Sequence, residues 1–265
     1  MVGLFDGAIS LRTNMDLEKY RIQRVGLEQS VREICWECRR PQVGCLCEWI
    51  RPFDTRAHFV ILIHPKEERK QKCGTGRLAS ECLNQSSLIK GIDFTEHEKI
   101  NAMIDDPSCV PMLVYPGEDA FNISETPLET MPLPSDKTLL LFVVDGTWAC
   151  AKKMMRLSKN LQKLPRLCFT PSQRSEFSIK QQPQEFCLST IESIHLLLEE
   201  MERTGFESLN GAHHNLLEVF RRMIDFQVAC AADPERAGYR RKLEFKPAEN
   251  RKASTRYLKR SVFFR

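Results

Sequence analysis

The stretch Thr138-Leu-Leu-Leu-Phe-Val-Val144, followed at once by Asp145-Gly146-Thr147-Trp148, decides the fold. An unbroken apolar run of this length fits a strand covered on both faces, as in a parallel sheet flanked by helices. The turn-forming Asp-Gly-Thr then leads into a helical pattern over Ala149–Leu157. Working outward, His58–Ile63 is a second apolar, β-branched run and stops at His64-Pro65. Met112–Tyr115 is a short strand ending at Pro116, and Arg166–Thr170 reads as another. Helical spacing occupies residues 15–34 and 75–89. A further helix spans 189–204, opened by Ser189 and Glu192 at capping-box spacing and stopped by Gly205. His213–Ala232 is the last, closed by Asp233-Pro234, and residues 121–137, rich in Pro, Ser, Thr and acid, read as a loop. Strands alternating with helices predict an α/β domain with a mainly parallel sheet. Ligands of such sheets bind beyond the carboxyl ends of the strands. That rule singles out His64–Glu67, Tyr115–Gly117 and Asp145–Trp148.

Composition bounds the function. The chain has 265 residues and a formal net charge of +4. From Glu235 to Arg265 eleven Lys/Arg stand against three Glu, a net of +8, so residues 1–234 carry −4. A mildly acidic body followed by a basic segment points to a polyanion partner or to a solvated tail. The first 30 residues hold Asp6, Arg12, Asp16, Glu18, Lys19 and Arg21 and no apolar core of a signal peptide. The longest apolar runs are too short to span a bilayer. The expectation is a cytoplasmic protein without a membrane partner. Oligomeric state is left open, with a monomer favoured.

Eleven cysteines in a reducing compartment read as thiols or metal ligands. Cys35, Cys38, Cys45 and Cys47 have the spacing of a closed, tetrahedral structural zinc site. Incidental thiols, or two disulfides in an exported protein, are the alternatives. The dinucleotide fingerprint Gly-x-Gly-x-x-Gly is absent after a first strand, and Lys72–Arg77 is not a P-loop. Asp145 sits at a buried strand end with a glycine beside it, Thr147 can cap the next helix, and Trp148 offers a flat surface. An ordinary strand-turn-helix junction would look the same.

Taken together, these segments resemble the DTW-domain family of tRNA-uridine aminocarboxypropyltransferases. The motif Asp-x-Thr-Trp stands as Asp145 to Trp148, and the family's cysteines as Cys35, Cys38, Cys45 and Cys47 with Arg40-Pro41 between. His-Pro-x-Glu stands as His64 to Glu67, Thr-x-Arg-Leu as Thr75 to Leu78, Tyr-Pro as Tyr115-Pro116, and Ser-Thr-x-Glu as Ser189 to Glu192. The match runs from about residue 33 to about 205. Similar proteins usually carry Tyr and Arg-Lys before Ser-Thr-x-Glu, where this chain has Phe177 and Lys180-Gln181.

The resemblance implies a SPOUT-like fold with a carboxy-terminal knot, binding S-adenosylmethionine in the knotted loops, plus a small zinc-binding element of four cysteines. The expected layout is a leader and helix (1–34) and a basic tail (233–265), both outside the resemblance, around the cysteine element (35–50) and the catalytic domain (51–232). The implied reaction moves the 3-amino-3-carboxypropyl group from S-adenosylmethionine to N3 of a tRNA uridine and releases methylthioadenosine. Asp145, Thr147 and Trp148 are then the catalytic candidates. Thr75, Tyr115, Pro116, Ser189, Thr190 and Glu192 are the candidates for holding the co-substrate, with Arg77 for a phosphate. Glu192 would bind the ammonium group or merely complete the cap, and His64 and Glu67 would brace a loop. A SPOUT-type RNA methyltransferase and a non-catalytic, zinc-dependent RNA-binding module are the competing functions.

Overall fold

The computed structural model describes residues 33–38, 40–70, 74–126, 136–179 and 187–232. The expected leader and its helix, Lys180-Gln181, and the tail from 233 lie outside the described residues. Among the described residues no helix is long and apolar enough to cross a membrane.

The chain divides into two compact units, residues 1–45 and 46–265. In the first, Ile34 pairs with Pro41 in an antiparallel bridge. The Cys35 amide donates to the Arg40 carbonyl at 2.8 Å, closing a tight knuckle. A 3₁₀ turn, Gln42–Gly44, follows.

Among its described residues the second unit carries six strands in one parallel sheet: β1 (His58–Ile63), β2 (Ser86–Lys90), β3 (Cys109–Val114), β4 (Phe121–Asn122), β5 (Thr138–Asp145) and β6 (Arg166–Cys168), in the order β2-β1-β5-β3-β6-β4. Its helices are α1 (Pro65–Lys70), α2 (Thr75–Cys82), α3 (Glu98–Ile104), α4 (Trp148–Leu157), α5 (Lys159–Gln162), α6 (Thr190–Arg203) and α7 (His214–Ala232). β5 is central, paired with β1 through Ile63 opposite Asp145 and with β3 through Val114 opposite Val143.

The apolar strands work as their pattern predicts. Alternate side chains point to opposite faces. Phe59, Ile61, Leu141 and Val143 pack on one face against α2, α6 and α7, through Leu78, Ile194, Leu197, Phe220 and Met223. Val60, Leu62, Leu140 and Phe142 pack on the other against α3, α4 and α5, through Ile100, Met154 and Leu161. Both faces are covered, so neither half of the alternation needs to be polar.

Two expectations need correction. The helix read over 75–89 ends at Cys82, and Ser86–Lys90 is strand β2. Ser86 Oγ lies within hydrogen-bond reach of the Ser80 and Leu83 carbonyls, and β2 at the sheet edge buries only Ile89, so it lacks an apolar run to announce it. The loop read over 121–137 begins with the two-residue strand β4, paired to β6 through Phe121 opposite Leu167. Helix α3 carried no sequence expectation. Gly205 does stop α6: it adopts φ 75° just past the carboxyl end, a left-handed geometry that glycine reaches without strain.

Candidate active site

β3, β5 and β6 are neighbours and parallel, so their carboxyl ends open on one side. The segments beyond them meet the amino-terminal turn of α6 around a cavity of about 340 Å³. Tyr115 and Pro116 come from the end of β3, Gly146 and Trp148 from the end of β5. Phe169 and Pro171 follow β6, and Leu188, Thr190 and Ser193 belong to the start of α6. The volume suits a ligand of nucleoside size, and the wall is apolar with few polar groups, the usual make-up of a small-molecule site.

Asp145 ends β5 and is 5 % exposed. Its main-chain carbonyl accepts the His64 amide at 3.0 Å, tying the ends of β5 and β1 together. Its carboxylate accepts the Thr190 hydroxyl at 2.5 Å. On another side lies Gly76 of α2, where a Cβ would fall 2.6 Å from Asp145 Oδ2 and 2.5 Å from its Cγ. Asp145 is therefore wedged between two helices and set behind the cavity wall, which Thr190 forms in front of it. Thr147 caps α4, its hydroxyl accepting the Cys150 amide at 3.4 Å, and so fixes Trp148 at the first helical position.

The other expected residues divide. Tyr115 and Pro116 line the cavity. Burial pushes the Tyr115 phenol up from its ordinary range, against the opposing pull of Arg166. The Arg166 guanidinium sits 5.9 Å from the ring centroid. Thr75 is buried at the first position of α2 and is not on the wall. Arg77 turns along its own helix to Glu81, Nε to Oε1 2.9 Å. His64 is buried, and its Nδ1 accepts the Lys66 amide at 3.1 Å. Burial, then the Lys66 charge, hold its pKa below the ordinary value. Its part is to brace the turn after β1.

Glu192 is 4 % exposed and surrounded by donors. Its Oε2 accepts the Ser189 amide at 2.7 Å, the Ser189 hydroxyl at 2.6 Å and the Ser175 hydroxyl at 2.8 Å. Its Oε1 accepts the Glu176 amide at 2.6 Å. Of the two roles considered, the geometry favours the cap, extended to anchor the 175–177 loop. Phe177, where similar proteins usually carry Tyr, is 3 % exposed and meets Phe220 edge to face at 5.2 Å.

Sequence reasoning missed Gly76, Phe169, Pro171 and Ser193. Gly76 had a signal, since a lone glycine inside a helical pattern often marks close approach. Phe169 and Pro171 follow a strand that was anticipated, so the strand-end rule would have reached them.

The thiols of Cys35, Cys38, Cys45 and Cys47 lie within 4.8 Å of one another. Cys38 and Cys45 have their sulfurs 3.8 Å apart. Four sulfurs about 2.3 Å from a tetrahedral ion stand about 3.8 Å from each other, so the donor set and spacing fit zinc. Trp36, between two of these cysteines, is 98 % exposed.

A family model described as the DTW domain matches residues 32–228. The chain is 30 % identical over 208 residues to the Mus musculus tRNA-uridine aminocarboxypropyltransferase 2, covering 75 % of this chain and 64 % of that protein. It is 31 % identical over 178 residues to the Drosophila melanogaster protein of the same name, covering 64 % of this chain and 67 % of the other. Against the Arabidopsis thaliana tRNA-uridine aminocarboxypropyltransferase A the identity is 26 % over 219 residues, covering 74 % and 81 %. The chain thus spans a little under two thirds of the length of its mammalian relatives. No solved structure gives a significant match.

Proposed function

The chain belongs to the DTW-domain family, and from that membership we propose that it is a tRNA-uridine aminocarboxypropyltransferase. In this reading it uses S-adenosylmethionine, makes 3-(3-amino-3-carboxypropyl)uridine in tRNA, and works in the cytoplasm. The observation that carries it is the Asp145–Thr190 pair, with Thr190 on the wall of a nucleoside-sized cavity and Asp145 behind it, built from two of the family's motifs.

S-adenosylmethionine supplies an electron-poor methylene beside its sulfonium, so attack by uracil N3 forms an N–C bond as the C–S bond breaks and its electron pair leaves on neutral methylthioadenosine. The imide nitrogen is a weak nucleophile until it loses its proton. Thr190 donates to Asp145 and faces the cavity, so a proton leaving N3 toward Thr190 Oγ1 is matched by transfer of the threonine proton to Asp145 Oδ1. Asp145 is the general base, acting through Thr190. The amino terminus of α6 suits the carboxylate of the amino-acid arm, because unpaired amides and the helix dipole favour an anion there. Thr190 and Ser193 stand at that turn. Trp148 and Tyr115 give aromatic walls for a base. Thr147 holds Trp148 in place through its cap.

The reading includes a structural zinc on the four cysteines, presenting exposed Trp36 to unpaired tRNA bases, with the basic tail on phosphates. It also includes a SPOUT-like, knotted catalytic domain over 51–232. Its support is that segments after three adjacent parallel strands converge on one cavity.

The test is to incubate the full chain with S-adenosylmethionine and unmodified tRNA and to analyse the nucleosides by mass spectrometry. Aminocarboxypropyluridine and methylthioadenosine are expected in equal amounts. A methylated nucleoside would support the methyltransferase alternative, and binding without turnover the non-catalytic one. Asp145→Asn should abolish transfer and leave tRNA binding intact.

A further inference from the structure

Away from the cavity, α6 and α7 bring three imidazoles and a carboxylate together. His195 and Glu199 lie one turn apart on α6, so they share a face. His213 and His214 stand at the start of α7. The ring centroids are 5.1 Å apart for His195 and His213, 5.5 Å for His195 and His214, and 4.2 Å for His213 and His214. His195 and His213 are each 2 % exposed, and among the described residues the Nδ1 atom of each has no hydrogen-bond partner. The nearest acceptors, Glu199 for His195 and Glu202 for His213, stand at 3.7 Å, too far for a hydrogen bond.

We propose that His195, Glu199, His213 and His214 form a second metal site, for a divalent cation of the zinc type. One ligand atom from each of the four lies within 4.8 Å of the others. A tetrahedral shell with nitrogen and oxygen about 2.0–2.1 Å from zinc has ligands about 3.3 Å apart. His195 Nε2 and His214 Nδ1 are already 3.3 Å apart. Glu199 closes the rest by rotation, because its side chain is 40 % exposed. Three imidazoles and a carboxylate are a borderline donor set, suited to zinc rather than to calcium or magnesium. An ion takes one lone pair from each ring and lets the remaining nitrogens close on carboxylates. Glu202 is placed to orient His213 in that way. His214 is exposed and gives the ion a way in. The ion would staple α7 to α6, the helix that carries Thr190.

The test compares zinc content in the full-length protein and in a His214→Ala/Glu199→Gln variant, after reloading with zinc and desalting. Both side chains reach solvent, so the variant should keep its circular dichroism spectrum. It should lose about one zinc per chain relative to the parent. Cobalt loading separates the two sites, since the thiolate charge-transfer absorption of the cysteine cluster should stay unchanged while the nitrogen–oxygen signal goes. His195→Gln should give the same loss. An unchanged zinc content in both variants, or a loss seen only when Cys35 and Cys47 are replaced, overturns the proposal.

Discussion

Gly76→Ala tests whether the position of Asp145 matters. The added Cβ would stand 2.5 Å from Asp145 Cγ, 2.6 Å from Oδ2 and 2.9 Å from Cβ. Contacts below 3.0 Å do not persist, so one partner moves by roughly 1 Å to reach van der Waals distance. The carboxylate has little room to retreat. Its other oxygen is held by Thr190 at 2.5 Å, and its backbone lies in the central strand, paired with β1 and joined to His64. A displacement of about 1 Å at a reacting group costs about 100-fold in rate. That corresponds to about 2.7 kcal/mol of transition-state stabilisation. Two stability effects oppose each other: alanine favours the helix by about 1 kcal/mol over glycine, while overpacking costs about 1–3 kcal/mol. Net destabilisation should therefore stay below about 2 kcal/mol, and the protein should remain folded. The assay is kcat/KM for aminocarboxypropyl transfer, with thermal melting in parallel. Gly74→Ala is the control, because a Cβ there meets no described residue within 4 Å and φ is already −69°. A Gly76→Ala protein with activity within about threefold of the parent would refute the reasoning, since each 1.36 kcal/mol is tenfold.

Thr190→Val keeps the shape and removes the hydroxyl that serves Asp145. Transfer should fall by about 100- to 10,000-fold, the worth of general-base catalysis, because the relay to Asp145 is gone. Thr190→Ser should recover most of it. Glu192→Gln puts an amide among four donors. It should lower unfolding free energy by about 2–4 kcal/mol in denaturant titration, whereas a raised KM for S-adenosylmethionine at unchanged stability would restore the ammonium-binding role. Glu176 is held below the usual carboxylate range chiefly by its hydrogen bond to Arg221, which donates to it at 2.6 and 2.7 Å. A lowered carboxylate pKa stabilises the fold above the unfolded value of 4.5 and loses that contribution as pH falls through the lowered one. Both side chains are well exposed, so the effect is at most about 1 kcal/mol. Arg221→Gln should accordingly cost stability at pH 7 and progressively less as pH falls below 4.5, and a loss that does not change with pH would contradict the ion pair.

The sequence by itself determined the central frame. Phe59–Ile63 and Leu139–Val144 are apolar at every pleat position, which only a sheet buried on both faces rewards, and they lie in β1 and β5. Ser189 and Glu192 declared the start of α6 because a cap is local chemistry, and Asp145, Tyr115 and Pro116 followed from the strand-end rule. Edge strands escaped, since β2 and β4 bury too little to leave a pattern. Roles that depend on partners distant in the chain also escaped. Thr190 stands 45 residues from the carboxylate it serves. The donors that complete the shell of Glu192 come from Ser175 and Glu176, and Gly76 touches Asp145 only because α2 packs against the end of β5. His195 stands 18 and 19 residues from His213 and His214, too far along the chain for spacing to announce a shared site. Burial and the crossing of two helices made them a cluster, because spacing along a chain records what a segment can form, while tertiary packing decides which groups share a space without water.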